Sequence, residues 1–161
     1  MSIGAVLDGH DVIPLSAIAA DMLTLIALGD EGLSRTRELM ALVTESLALD
    51  QVTLLAPIPR PVRNIMCLGK NYAAHAEESH RARGDKVEIP EYPVIFTKAT
   101  TAVNGPFDKI PYDPTVSTMI DFEAELAVII GRDGRNISHE DALSHVFGYT
   151  VMNDVTARDL Q

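Results

Sequence analysis

The segment Asp121-Phe122-Glu123-Ala124-Glu125-Leu126-Ala127-Val128-Ile129-Ile130-Gly131 sets three acids at alternate positions beside an apolar run. In a strand, side chains two residues apart share a face at a spacing of about 6.7 Å, so Glu123 and Glu125 project together, with Asp121 joining them if the strand reaches back that far. Like charges on one face next to apolar neighbours must be exposed, protonated or neutralised by a cation. No Lys or Arg lies between Asp121 and Ile130. Acids that gatekeep an exposed strand start have the same spacing, and by spacing alone that ordinary explanation is the stronger one. Asp154 alters the balance. It follows the apolar stretch Val146-Phe147-Gly148-Tyr149-Thr150-Val151-Met152, and the end of a core strand is a usual place for functional groups. Taken singly, a helix N-cap or an ion pair with Arg158 accounts for it. Together with Glu123 and Glu125 it completes a cup of three carboxylates. Such an all-oxygen set suits Mg²⁺, Ca²⁺ or Mn²⁺ rather than zinc, and leaves about three positions of an octahedral ion for water or substrate.

A second constellation is Gly69-Lys70-Asn71-Tyr72-Ala73-Ala74-His75-Ala76-Glu77-Glu78. On a helix, His75 and Glu78 face the same way, so the carboxylate can orient the imidazole and raise its basicity, as the activation of a water requires. An ordinary surface pair has the same spacing, and without other evidence it is the simpler reading. Cys67 has no basic neighbour before it to lower its pKa and reads as a small buried hydrophobe. His139 and His145 are six apart, which is neither helix-face nor zinc-ligand spacing, and neither is assigned a role.

These residues need elements to position them. Val6-Leu7, the turn Asp8-Gly9-His10-Asp11 and Val12-Ile13-Pro14 predict a hairpin over residues 3–15. Ser16 is placed to cap a helix carrying Ile18, Met22, Leu25 and Ile26 on one face, and Gly29 to end it. A second helix is expected from Leu33 through Arg37, Met40 and Val43 to Leu47. Residues 57–61 hold three prolines in five positions, which stops a helix and marks an extended linker. The chain therefore divides into a small N-terminal lobe over residues 1–56 and a second unit over 57–161. In the second unit the pattern predicts strands at 64–68, 94–98, 123–130 and 146–153, a helix over 71–81, and an exposed charged loop over 80–93. Ser138-His139-Glu140-Asp141 resembles a weak capping box that opens a short helix. Strands outnumber helices after residue 60 without regular alternation, so the expected class is α+β, mostly β, rather than a doubly wound sheet.

Composition narrows the functional classes. The 161 residues carry 13 Lys and Arg against 23 Asp and Glu, a formal charge of -10, with 47% apolar residues. This chain can bury a core, and its negative charge repels nucleic-acid phosphates and anionic lipid, so neither nucleic acid nor membrane is expected as a partner. The longest apolar runs fall far short of the roughly 18 residues that a membrane span needs. One cysteine cannot close an intramolecular disulfide, and Met1-Ser2-Ile3-Gly4 lacks a signal-like pattern. A reducing, cytoplasmic setting is expected.

Taken in order, GKNYAAHAEE, PVIFTKATTAVNGP, DFEAELAVIIG and FGYTVMNDVTARDLQ resemble the fumarylacetoacetate hydrolase family. The likeness runs from about Arg60 to Gln161, and residues 3–49 look like the small N-terminal region that many members carry. The resemblance implies a mixed β-sandwich or roll, with Glu123, Glu125 and Asp154 holding Mg²⁺ or Mn²⁺ and His75 with Glu78 as the water-activating dyad. It places Lys98, Arg158 and Gln161 near the substrate and implies a homodimer. Members continue well past the position of Gln161, with further glycine-rich strands and an active-site lysine, so these 161 residues are expected to be part of a longer polypeptide. The implied substrate is a small 2-oxo or 1,3-dioxo carboxylic acid, and the implied common step is stabilisation of an enolate by the ion as a Lewis acid. Carbon-carbon hydrolysis is the leading outcome, with decarboxylation and keto-enol isomerisation as alternatives. From another class come a catalytically dead, metal-stabilised scaffold or binding protein and a structural domain without metal.

Overall fold

The computed structural model describes residues 1–42, 44–72 and 91–161. Strands β1 (Gly4–Leu7) and β2 (Asp11–Pro14) form the expected hairpin, pairing Gly4 with Pro14 through Leu7 with Asp11. Its loop turns on Asp8 and Gly9, both at positive φ, and the His10 N–H donates to the Leu7 carbonyl. That backbone is what an Asp-Gly pair tolerates at low cost. The helical element α1 (Met22–Leu42) follows. Asp21, not Ser16, caps it: one Asp21 carboxylate oxygen accepts from both the backbone N–H and the hydroxyl of Thr24 at 2.7 Å. Both residue types cap well, and Asp21 wins because residues 16–19 are spent in a turn in which the N–H groups of Ile18 and Ala19 bond back to Leu15. Gly29, at φ 53 and ψ -132, breaks α1 into two helices, as its position predicts. The second helix does not reach Leu47. It ends at Leu42, and Leu47–Ala48 instead forms β3, which adds to the free edge of β2. Val43, on the predicted helical face, lies outside the described residues.

The core of this region is the cluster Leu15, Ala19 and Leu25, flanked by Ile3, Ala5, Met22 and Leu39. Ile13, only 1% exposed, is the largest fully buried side chain. Phe147 packs against the same cluster from a strand more than a hundred residues further along, so the N-terminal elements are tied to those that carry the acids.

After the proline-rich stretch come β4 (Ile65–Gly69) and β5 (Val94–Lys98), paired antiparallel from Ile65 with Lys98 to Gly69 with Val94. Then follow β6 (Ile120–Asp121), β7 (Ala124–Ile130), β8 (Val146–Asn153) and β9 (Thr156–Ala157). β6 pairs with β9, and β7 with β8 through a bulge at Ile129 and Ile130; every described ladder is antiparallel. The sequence around 138–145 makes only a 3₁₀ turn (Ala142–His145), where Ser138 and Asp141 bond each other without opening an α-helix. The protein is α+β and mostly β, as its pattern predicts. The helix expected at 71–81 and the loop at 80–93 fall mainly outside the described residues. No described helix is long and apolar enough to cross a membrane.

On β7 the odd positions Glu125, Ala127 and Ile129 are half-buried, whereas Leu126, Val128 and Ile130 are exposed. Register puts Leu126 beside Val151 and Val128 beside Tyr149, an exposed apolar strip on one face, with Glu125 beside Met152 on the other. Glu125 thus lies on the more covered face, with Ala127 and Ile129.

Nothing lies within 4 Å of where a Gly29 Cβ would stand, so backbone conformation alone sets the cost of a side chain there. Gly29→Ala should lower the unfolding free energy by about 1–3 kcal/mol in urea melts. An unchanged or higher midpoint would show that the break in α1 does not depend on glycine.

Candidate metal centre

Backbone pairing brings the acids together. The Asp154 N–H donates to the Glu123 carbonyl at 2.8 Å, and the Glu123 N–H donates to the Asn153 side-chain oxygen at 3.3 Å. Glu123 therefore sits beside Asp154 just outside the β7–β8 ladder. Glu125, one pleat further, keeps to the same half-buried face. Asp154 is 7% exposed, too deep for an ionised carboxylate to stand without a partner.

Cations from distant parts of the chain supply the partners. Lys98, the last residue of β5, places its Nζ on Asp154 Oδ1 and donates to the Val155 carbonyl at 3.1 Å. Arg158 reaches Glu123 Oε1 through Nη2 and Asp121 Oδ2 through Nε at 2.9 Å, while Nη1 bonds Gln161 Oε1 at 2.9 Å. The Arg158 main chain is fixed as well, its N–H donating to the Met119 carbonyl at 2.8 Å, and Asp159 accepts from the buried Ser117 hydroxyl at 2.6 Å. An ion pair of Asp154 with Arg158, the ordinary account of that acid, is not what forms: Arg158 goes to Asp121 and Glu123, and Lys98 takes Asp154. Glu125 has no ion pair among the described residues.

The electrostatics follow. Bonds from Arg158, then from the Phe122 N–H, hold the Asp121 carboxyl below its ordinary range, and Glu123 and Asp121 push the Arg158 guanidinium up. Burial raises the Cys67 thiol, Asp154 and Glu125 add to the effect and Lys98 opposes it, so the thiol is protonated at neutral pH. Half-buried Cys67 behaves as the small hydrophobe its sequence context predicts. His139 is exposed, and His145 Nδ1 bonds the Arg132 carbonyl at 2.9 Å, a structural tie.

Of the residues singled out from sequence, the structure brings together Glu123, Asp154, Lys98, Arg158 and Gln161, with Glu125 alongside. His75 and Glu78 lie outside the described residues. Among the described residues no three carboxylate, imidazole or thiol groups converge on one point, because the side chains of Glu123 and Asp154 turn to Arg158 and Lys98. The donor set still fits a hard divalent ion. It is all oxygen, one member is deeply buried, and two of its members are held by positive charge standing where an ion's charge would act. Asn153, which orients the main chain of Glu123, is a supporting residue that no spacing rule selects, and Asp121, picked out by its alternation with Glu123, orients the guanidinium of Arg158. Asn153 and Asp121, with Tyr112, Ile120 and Phe122, also wall an open depression of about 440 Å³, whose lining does not include Glu123, Glu125 or Asp154.

Residues 64–161 match the family described as "Fumarylacetoacetate (FAA) hydrolase C-terminal". An oxaloacetate tautomerase of Bacillus subtilis, YisK, is 43% identical over 155 residues, covering 91% of this chain and 50% of that protein. Among solved structures, a fumarylacetoacetate hydrolase from Exiguobacterium antarcticum is 41% identical with a TM-score of 0.75, covering 99% of this chain and 53% of its own. A maleylpyruvate hydrolase from Sphingobium sp. SYK-6, in complex with manganese (II) ion and pyruvate, is 28% identical with a TM-score of 0.74, covering 98% and 56%. The chain belongs to the fumarylacetoacetate hydrolase family and has its fold. It spans about half the length of the curated relatives it matches.

The Asp121 pairing has a signed pH consequence. A carboxyl with a lowered folded pKa stabilises the fold above its ordinary value near 3.8 and loses that contribution as pH falls through the folded value. Arg158→Gln should therefore be less stable than the parent at neutral pH, with the gap closing as pH drops below about 3.8. Denaturant melts at several pH values read this directly, and a gap of constant size throughout would contradict the pairing.

Proposed function

We propose that Glu123, Glu125 and Asp154 hold one Mg²⁺ or Mn²⁺, and that the protein acts on a small 2-oxo carboxylic acid by keto-enol tautomerisation. The observation that carries this reading is the placing of half-buried Glu123 and Glu125 at alternate positions beside buried Asp154, whose N–H donates to the Glu123 carbonyl. Support for the reaction type comes from the tautomerase name of the 43% identical relative. Carbon-carbon hydrolysis, the reaction put first from sequence, stays as a second reading, supported by the hydrolase structure that holds manganese and pyruvate. Both reactions start from the same charge distribution and part only at the fate of the enolate.

When bound, a divalent ion would supply Lewis-acid stabilisation of the negative charge that develops on the 2-oxo oxygen. The chain's own groups do the rest. Arg158 and Gln161, tied to each other and to β6, offer donors for a substrate carboxylate at the edge of the acids. His75, oriented by Glu78, moves the proton at the carbon next to the oxo group, or activates a water in the hydrolytic alternative.

The test is enol-absorbance decay of oxaloacetate with purified protein and Mn²⁺. Glu123→Gln should lose both Mn²⁺ binding and turnover. Glu78→Gln should lower kcat by about a hundredfold or more while leaving Mn²⁺ affinity nearly unchanged. A His75→Ala variant with full kcat/KM would remove the dyad from the reaction.

A further inference from the structure

Two of the three acids proposed to bind the ion, Glu123 and Asp154, are already paired with cations of the chain itself, and those two cations are held very differently. Arg158 is locked. Besides Glu123 it has Asp121, Gln161 and a main-chain tie to Met119, so it keeps its place and most of its bonds if Glu123 turns away. Among the described residues Lys98 has only Asp154 and the Val155 carbonyl. Its side chain is 26% exposed against 8% for that of Asp154, and four flexible methylenes let its ammonium swing to water while the buried acid cannot follow.

An ammonium and a divalent cation brought to the same Asp154 oxygen repel each other and compete for its lone pairs, and Lys98 stands on Oδ1. On the reading of Glu123, Glu125 and Asp154 as the metal ligands, we propose that Lys98 is an exchangeable internal counter-cation that pairs with Asp154 in the metal-free protein and is displaced when a divalent ion binds. Metal loading and release of the ammonium are then one coupled event. In the empty state Lys98 spares the protein a buried, unpaired carboxylate; in the loaded state its freed charge stands at the edge of the site, available to an anionic substrate. Metal would thereby precede substrate. Lys98 acts here through Asp154 and is a positioning residue.

Mn²⁺ titration calorimetry at neutral pH tests the exchange without reference to turnover. Lys98→Gln, which removes the competing charge, should bind Mn²⁺ at least about fivefold more tightly than the parent, the low end of a typical coupling between two sites. Lys98→Arg, which keeps a cation on Asp154, should show parental or weaker affinity. Glu125→Gln, which removes a ligand that no cation holds among the described residues, should weaken binding by about tenfold or more. If Glu125→Gln weakens binding while Lys98→Gln binds no better than the parent, Lys98 is merely structural and the exchange is overturned with the metal site intact. If the parent binds no Mn²⁺, or Glu125→Gln binds as well as the parent, the metal site falls and takes the exchange with it. Acylation of the parent protein, followed by mass spectrometry, gives the answer should Lys98→Gln fail to fold. Saturating Mg²⁺ should speed modification of Lys98 relative to exposed Lys109, and an unchanged ratio would overturn the proposal.

Discussion

A carboxylate that cannot reach water must be matched by positive charge, and Asp154 is such a carboxylate. Its burial follows from the strand before it. β8 is apolar and pairs along the whole of β7, so the first residue past its end is drawn in among main-chain groups, with its own N–H committed to the Glu123 carbonyl. Once Asp154 is fixed there, the end of β5 must bring Lys98 alongside, which couples the β4–β5 pair to the β7–β8 pair. Along β7, Glu125, Ala127 and Ile129 take the half-buried side, and Leu126 and Val128 are left on the exposed side.

The site built this way has a rigid half and a loose half. Arg158 knits Asp121, Glu123 and Gln161 into one patch on the β6–β9 pair, reinforced by the Ser117–Asp159 bond. Lys98 stands on the other side with two partners and a partly solvated stem. Catalytic sites need fixed donors where a substrate is oriented and a movable charge where one ligand replaces another. Arg158 is suited to the first of these roles and Lys98 to the second.

Much of this was legible in the amino-acid sequence, and the exceptions have physical causes. Strands 94–98 and 146–153 form at the bounds that their apolar runs dictate, because β-branched and aromatic residues flanked by Pro, His and Asp leave little choice. β6 and β9 are two residues each and too short to show a period. Ser16 and Asp21 both cap well, and only the turn after Leu15 decides between them. The carboxylates of the candidate site could be read from alternation and from the end of a strand. Their counter-charges could not, since Lys98 is 56 positions from Asp154 and Arg158 is 35 from Glu123, and no local pattern selects a partner at that distance. For the same reason Arg158, four residues from Asp154, was the natural but wrong partner to expect from helix-like spacing.

The proposed activity and the exchange of Lys98 both rest on Glu123, Glu125 and Asp154 sharing one divalent ion. Anomalous diffraction from crystals of the protein soaked in Mn²⁺ tests this most directly. The account predicts a single strong peak with carboxylate oxygens of all three residues at about 2.0–2.6 Å and the Lys98 ammonium moved off Asp154. A peak elsewhere, or no peak while Lys98 still pairs with Asp154, would contradict it.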